Sequence, residues 1–158
     1  MTNIIRTTTE FAMHIASAYI SPGDILIDAT CGNGHDTAAL AKMGAEKIYA
    51  FDIQKAAIES TRSTLIKENI SLENIRLIQD SHANMSKYIN EKVQVIVFNL
   101  GYLPSADKEI TTTKNSTLDA IKEGLILLTE GGLLCITMYS GHPGGQEEKD
   151  AVLEFVYH

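Results

Sequence analysis

At 158 residues, 44% hydrophobic and 21% charged, the chain is long enough for one domain with its own core and has the composition of an ordinary soluble globule. Its formal net charge of −7 argues against a broadly basic nucleic-acid surface, leaving at most a local cluster to engage a few phosphates. There is no apolar run near the roughly 20 residues of a membrane span, no secretory signal at the start, and no paired spacing of Cys31 and Cys135 to suggest zinc or a disulfide framework, so a cytoplasmic protein is expected.

From Thr7 to Ile20 apolar residues recur at helical spacing, Phe11, Ile15 and Ala18 on one row and Ala12, Ala16 and Tyr19 on another. Thr7 or Thr8 is placed to cap this helix, with Glu10 reaching back as in a capping box. Ser21-Pro22-Gly23-Asp24 then stops it and turns the chain.

The stretch Asp24 to Thr37 (DILIDATCGNGHDT) is the organising segment of the sequence. A short apolar run, Ile25 to Ile27, ends on Asp28, and a small-residue turn carrying Gly32 and Gly34 leads into a helix over Asp36 to Met43, closed by Gly44. A strand feeding a glycine turn is the mouth of a ligand crevice in an α/β sheet, because glycine lets backbone pass close to a bound molecule. The next strand, Lys47 to Ile53, carries Asp52 near its end, and an acid about 20 residues past such a turn suits the hydroxyls of a ribose. A nucleoside-containing cofactor is therefore expected.

A helix from about Lys55 to Lys67 comes next, with Ile58 and Leu65 as its core contacts. Ile75 to Asp80 is a third strand, again ending on an acid, with Ser81 and His82 directly after it. Val93 to Leu100 is the most continuously apolar run, as expected of a central parallel strand buried on both faces. A loop through Thr113 precedes a helix over Asn115 to Leu128, where Ser116 and Asp119 have the cap spacing. Gly131-Gly132 turns into a fifth strand, Leu133 to Ser140, and a final helix runs to His158. The alternation specifies an α/β parallel sheet with right-handed crossovers and its polar strand ends gathered on one edge.

His14, His35, His82, His142 and His158 show neither HxH nor HExxH spacing, so no metal site is expected. Cys31, inside the glycine turn, reads as a small buried thiol. Asn99 ends the central strand before Gly101, Tyr102 and Pro104, where its side-chain oxygen and nearby carbonyls can accept from an amine and Tyr102 can stack on a base.

The segments DATCGNGHDT, FDI, QDSH, NLGYLP and YSGHPGG, in this order, resemble the small S-adenosylmethionine-dependent methyltransferases of the rRNA methylase family, over essentially the whole chain. The resemblance implies a Rossmann-like, doubly wound, mostly parallel sheet with helices on both faces. It implies S-adenosyl-L-methionine as cofactor and N-methylation of 5-aminomethyluridine at the tRNA wobble position, with the anticodon region of tRNA as partner and a homodimer as an attractive way to share an RNA surface. By position, Asp28, Gly32, Asn33 and Gly34 would surround the methionine part, Asp52 with Gln54 the ribose, and Asp80, Ser81 and His82 the adenine. Asn99, Leu100 and Tyr102 would face the transferred methyl and the amine, and Tyr102, Pro104, His142, Pro143 and Gly144 would form the substrate wall. The NLGYLP loop carries no cysteine, which counts against covalent methylation of a pyrimidine carbon.

Such folds finish with an antiparallel strand pair after the last helix. This sequence stops at that helix, so a single domain over 1–158 that is truncated at its C-terminus is expected. The competing readings are an NAD-dependent oxidoreductase, disfavoured because GNGHDT lacks the third small residue of a dinucleotide turn, a small-molecule N-methyltransferase, and a non-catalytic cofactor-binding module.

Overall fold

The computed structural model describes residues 4–101 and 114–158. Its strands are β1 (Ile25–Asp28), β2 (Lys47–Asp52), β3 (Ile75–Gln79), β4 (Val93–Leu100) and β5 (Leu128–Met138). They form one five-stranded sheet, parallel throughout, in the order β3-β2-β1-β4-β5. The helices are α1 (Thr8–Ser17), α2 (His35–Lys42), α3 (Lys55–Lys67), α4 (Lys114–Leu127) and α5 (Gly145–Tyr157), with a short 3-10 helix at His82–Lys87.

Strand alternation divides the interior into two cores, because successive side chains point to opposite faces. Leu26, Ile48, Val95 and Val97 pack with Ala12, Met13 and Ala16 of α1 and Leu40 of α2. Ile27, Phe51, Ile96 and Phe98 face the other way, onto Met85, Ile121 of α4 and Val152 of α5. Helices therefore cover both faces, as the α/β reading anticipates. After β1 the chain builds β2 and β3 on one side, then returns to lay β4 on the other. That reversal opens a crevice at the carboxyl ends of β1 and β4.

Several local readings shift. Thr7 caps α1, its hydroxyl accepting the Glu10 N–H at 3.0 Å, but the Glu10 carboxylate accepts from Arg6 N–H at 2.6 Å, outside the reciprocal box. On that helix the Ala12–Ala16 row is buried, whereas Phe11 is 52% exposed. Helix α3 buries Ala57, Thr61 and Leu65, and Ile58 is only half-buried. Ser116 lies inside the first turn of α4 and so is not its cap. Strand β5 begins at Leu128 rather than Leu133: Leu128 already pairs with Val93, and Gly131-Gly132 is absorbed as an irregularity within the strand instead of preceding it. Gly132 has to be small there, since a Cβ would stand 2.8 Å from the Gln94 carbonyl oxygen.

Candidate active site

The turn after β1 is held open between its two neighbours. Ala29 N–H donates to the Val97 carbonyl at 2.9 Å and Cys31 N–H to the Phe51 carbonyl at 2.8 Å, so the chain leaves β1 by splaying from β4 toward β2. Gly32 (φ 51°) and Gly34 (φ 84°) then take left-handed backbone, which glycine adopts without a Cβ penalty. Three hydroxyls of α3 anchor the loop. Thr61 donates to the Gly32 carbonyl at 3.0 Å, Thr64 to the Asn33 carbonyl at 2.7 Å, and Ser60 to the Asn33 side-chain oxygen at 3.0 Å. Asn33 thus turns its side-chain oxygen onto α3, and what it offers at the crevice is main chain.

Asp52, ending β2, accepts from Gly32 N–H at 3.1 Å and from Gln54 N–H at 3.0 Å. Burial raises its carboxyl above the ordinary range, and these amide bonds oppose the rise. Each oxygen keeps acceptor capacity, so the group is a preset, half-buried acceptor beside the glycine turn. That donor–acceptor chemistry fits a ribose, whose two hydroxyls are donors.

Asp28 is fully buried. Its oxygens accept from Thr30 N–H at 3.1 Å and Thr37 hydroxyl at 2.6 Å. Burial, with the nearby charge of Asp36, pushes its pKa from the ordinary 3.8 up to about 7. An acid that binds its proton more tightly folded than unfolded gives stability that is complete below about pH 4 and lost as pH rises through about 7. Asp28→Asn removes this dependence, and the Thr37 hydroxyl can reverse to accept from the new amide. Urea denaturation at several pH values is expected to show wild type losing stability relative to Asp28→Asn between about pH 4 and 8; parallel curves would show that Asp28 is already ionised throughout.

The adenine-side residues are engaged locally. Asp80 accepts from Ser81 N–H at 2.7 Å, the Asn84 amide at 2.9 Å and the Tyr88 hydroxyl at 2.7 Å, which hold its carboxyl below the usual range. Ser81 caps the 3-10 helix through Ala83 N–H. His82 is buried, not displayed: Nδ1–H donates to the Ala29 carbonyl at 3.0 Å, the ring lies 5.6 Å from that of Phe98, and burial depresses its pKa. It braces the exit of β1 as a neutral imidazole. Cys31 is buried too, and burial pushes its thiol up, so it remains protonated and inert.

At the end of β4, Asn99 N–H donates to Thr30 Oγ1 at 2.6 Å, tying it to the turn after β1. Leu100 sends its side chain into the core, so only its main chain can face the crevice. Tyr102 and Pro104 lie outside the described residues. His142 is buried, and a Cβ on Gly145 would stand 2.8 Å from its ring. It therefore supports the loop from behind while Pro143 and Gly144 are exposed. Glu148, also buried, accepts from the Thr117 hydroxyl at 2.8 Å and links the first turns of α5 and α4.

Sequence reasoning missed Asp36, Thr9 and the α3 hydroxyls. Asp36 is buried in the first turn of α2, hydrogen-bonds with the Asn99 side chain, and feels the charge of His35. In sequence it reads only as a favourable acid at a helix start. The Ser60, Thr61 and Thr64 spacing on one helix face was the available signal for the loop anchor. Among the described residues, no three His, Cys, Asp or Glu gather as metal ligands, and no helix is long and apolar enough to cross a membrane.

The family model described as Putative rRNA methylase matches residues 48–158. This chain belongs to the rRNA methylase family. It is 42% identical over 161 residues to the chloroplastic tRNA (mnm(5)s(2)U34)-methyltransferase of Arabidopsis thaliana, an alignment covering 95% of this chain and 59% of that one. The chain therefore spans about three-fifths of the length of that relative. A crystal structure of an rRNA methylase family protein from Clostridium thermocellum superposes with a TM-score of 0.92 at 39% identity. A methyltransferase relative from Streptococcus mutans, solved with S-adenosylhomocysteine, gives 0.88 at 43%. Each superposition covers 98% of this family member and 84% of the other chain.

Proposed function

We propose that this protein is an S-adenosylmethionine-dependent RNA methyltransferase that N-methylates the aminomethyl group of 5-aminomethyluridine at the tRNA wobble position, acting in the cytoplasm as a single domain over 1–158. The observation that carries the reading is the convergence of the Gly32–Gly34 turn, Asp52 and Asn99 at one sheet edge, in a chain 42% identical to a tRNA methyltransferase. In this reading Asp28, Gly32, Gly34 and the main chain of Asn33 enclose the methionine part of the cofactor. Asp52, held by Gln54 N–H, takes the ribose, and Asp80 with Ser81 borders the adenine, His82 serving from beneath. Tyr102 and Pro104, with Pro143 and Gly144 in front of His142, wall the acceptor, and the anticodon region of tRNA is the partner, shared across a homodimer.

Bound S-adenosylmethionine supplies a methyl already activated on a sulfonium sulfur. What remains for the protein is alignment of the amine nitrogen with that carbon. The amine has to arrive without its extra proton, since an ammonium has no lone pair. Asn99, at the end of β4, offers an amide oxygen that accepts an amine N–H and so aims the nitrogen.

The deciding experiment is transfer from labelled S-adenosylmethionine into bulk tRNA lacking the modification, followed by nucleoside mass analysis. Labelled methylaminomethyluridine is expected. Label in another nucleoside, or in a small amine only, would overturn the substrate assignment. Binding of NAD without S-adenosylhomocysteine would overturn the cofactor. Asp52→Ala is expected to weaken S-adenosylhomocysteine binding by about 1–3 kcal/mol, the range for hydrogen bonds to a charged acceptor. Calorimetric titration checks this, and unchanged affinity would remove Asp52 from the ribose.

A further inference from the structure

We infer that Asp36 is a positioning residue which, together with Thr9, holds the Asn99 side-chain amide in one of its two flips, with Nδ2 turned toward helices α1 and α2 and Oδ1 left for the acceptor amine. The inference deepens the proposed function and rests on the role given there to Asn99.

An asparagine amide has two ends of nearly equal shape but opposite chemistry, so its partners decide which end faces where. Asn99 falls two residues after Val97 on β4, on the same face of the strand, and Val97 packs in the core with α1 and α2. Two acceptors wait on that side. Thr9 Oγ1 takes a bond from Asn99 Nδ2 at 3.5 Å, and its oxygen also meets the Tyr139 hydroxyl at 3.3 Å. Asp36, in the first turn of α2, hydrogen-bonds with the same Asn99 side chain.

The two partners differ in what they permit. A hydroxyl donates or accepts, so Thr9 alone would tolerate either flip. An ionised carboxylate only accepts, so only the NH2 end of Asn99 can face Asp36. With one Nδ2 proton on Thr9 and the other on Asp36, the carbonyl oxygen is turned away from both helices.

Asp36 is costly to place here. It is 8% exposed, close enough to Asp28 to raise that group's pKa, and forms no ion pair with Lys or Arg among the described residues. A buried carboxylate beside another acid is destabilising unless something requires its charge. Filling the space would need only a neutral polar side chain. Fixing the orientation of Asn99 needs an acceptor that cannot donate.

The test reads the Asn99 side-chain amide directly, by nitrogen-15 NMR of the intact chain, with the signal assigned by its loss in Asn99→Ala. In wild type both Nδ2 protons are expected to exchange slowly. Asp36→Asn keeps the shape but supplies an amide that can itself flip, and exchange is expected to accelerate about tenfold or more, the scale of losing a charge-assisted bond. Thr9→Val is expected to accelerate it by roughly threefold and Thr9→Ser to match wild type, as one neutral bond predicts.

In kinetics, Asp36→Asn is expected to lower kcat about tenfold while S-adenosylhomocysteine affinity stays within about threefold, because the defect lies in aim rather than in cofactor binding. Unchanged exchange in both Asp36→Asn and Thr9→Val overturns the inference. Should Asp36→Asn fail to fold, equal exchange in Thr9→Val and Thr9→Ser overturns it. A wild type that transfers no methyl to tRNA defeats the proposed function alone, since the amide measurement still reports on Asp36.

Discussion

Replacing Asn99 with alanine is expected to slow methyl transfer to tRNA by about 100-fold while leaving S-adenosylhomocysteine affinity within about threefold, the pattern of an interaction that aims a reacting group. The asymmetry comes from how the residue is held. Its main-chain N–H donates to Thr30 Oγ1 at 2.6 Å, a bond that alanine retains, so the turn after β1 keeps its anchor to β4. Only the side-chain amide is lost, and with it the oxygen that the proposed mechanism presents to the amine. A loose amine reaches the aligned geometry in a small fraction of encounters, and even a displacement of about 1 Å can cost a hundredfold. Single-turnover transfer and calorimetric titration measure the two quantities separately. Equal losses in both would make Asn99 a cofactor ligand instead.

Gly34→Ala should have the largest effect on stability. At φ 84° the position already disfavours any side chain, and a Cβ would lie 2.7 Å from the Thr61 Cα and 3.1 Å from its Cβ and Cγ2. The obstacle is helix backbone, not the end of a flexible side chain, so α3 has to move. Moving it breaks the Thr61 and Thr64 bonds to the loop carbonyls. Left-handed strain of about 1–2 kcal/mol plus overpacking of about 1–3 kcal/mol gives a loss of about 2–5 kcal/mol. At roughly 2–4 °C per kcal/mol for a domain of this size, Tm falls by roughly 4–20 °C. Gly44→Ala is the matched control, because Gly44 has φ 88° but nothing within 4 Å of its Cβ. It carries the backbone strain without the clash. Thermal unfolding is expected to rank wild type, Gly44→Ala and Gly34→Ala in falling order; equal losses in the two variants would mean that contact with α3 contributes nothing.

The contrast between these two residues marks how far a sequence can be read. Gly34 and Asp52 are legible because their geometry is built locally: strand, turn and helix succeed one another within Asp24 to Thr37, and the acid arrives one crossover later. Asn99 is legible as a polar end to an apolar strand. What Asn99 touches is not. Its partners come from 90 residues away in α1 and from the start of α2, and they meet only because β4 is laid beside β1 with both helices on one face.

The same distinction explains the misreadings. Glycines signal turns, so local preference puts the start of β5 after Gly131-Gly132. Pairing of Leu128 with Val93 outweighs that preference, since a neighbouring strand supplies hydrogen bonds that a local pattern cannot foresee. His82 and His142 carry polar side chains at crevice positions in the sequence, yet both are buried, one bonded to the Ala29 carbonyl and the other seated against Gly145.

By itself, then, the sequence determined the α/β class, the alternation that gathers Asp28, Asp52, Asp80 and Asn99 at one sheet edge, and the glycine turn, because each depends on short-range periodicity and backbone preference. Tertiary structure alone decided that Asp28 lies fully buried near Asp36, that α3 hydroxyls clamp the loop, and that two helices meet the amide of Asn99. Burial and hydrogen-bond partners are properties of strand order and helix placement, and neither is encoded in any one stretch of chain.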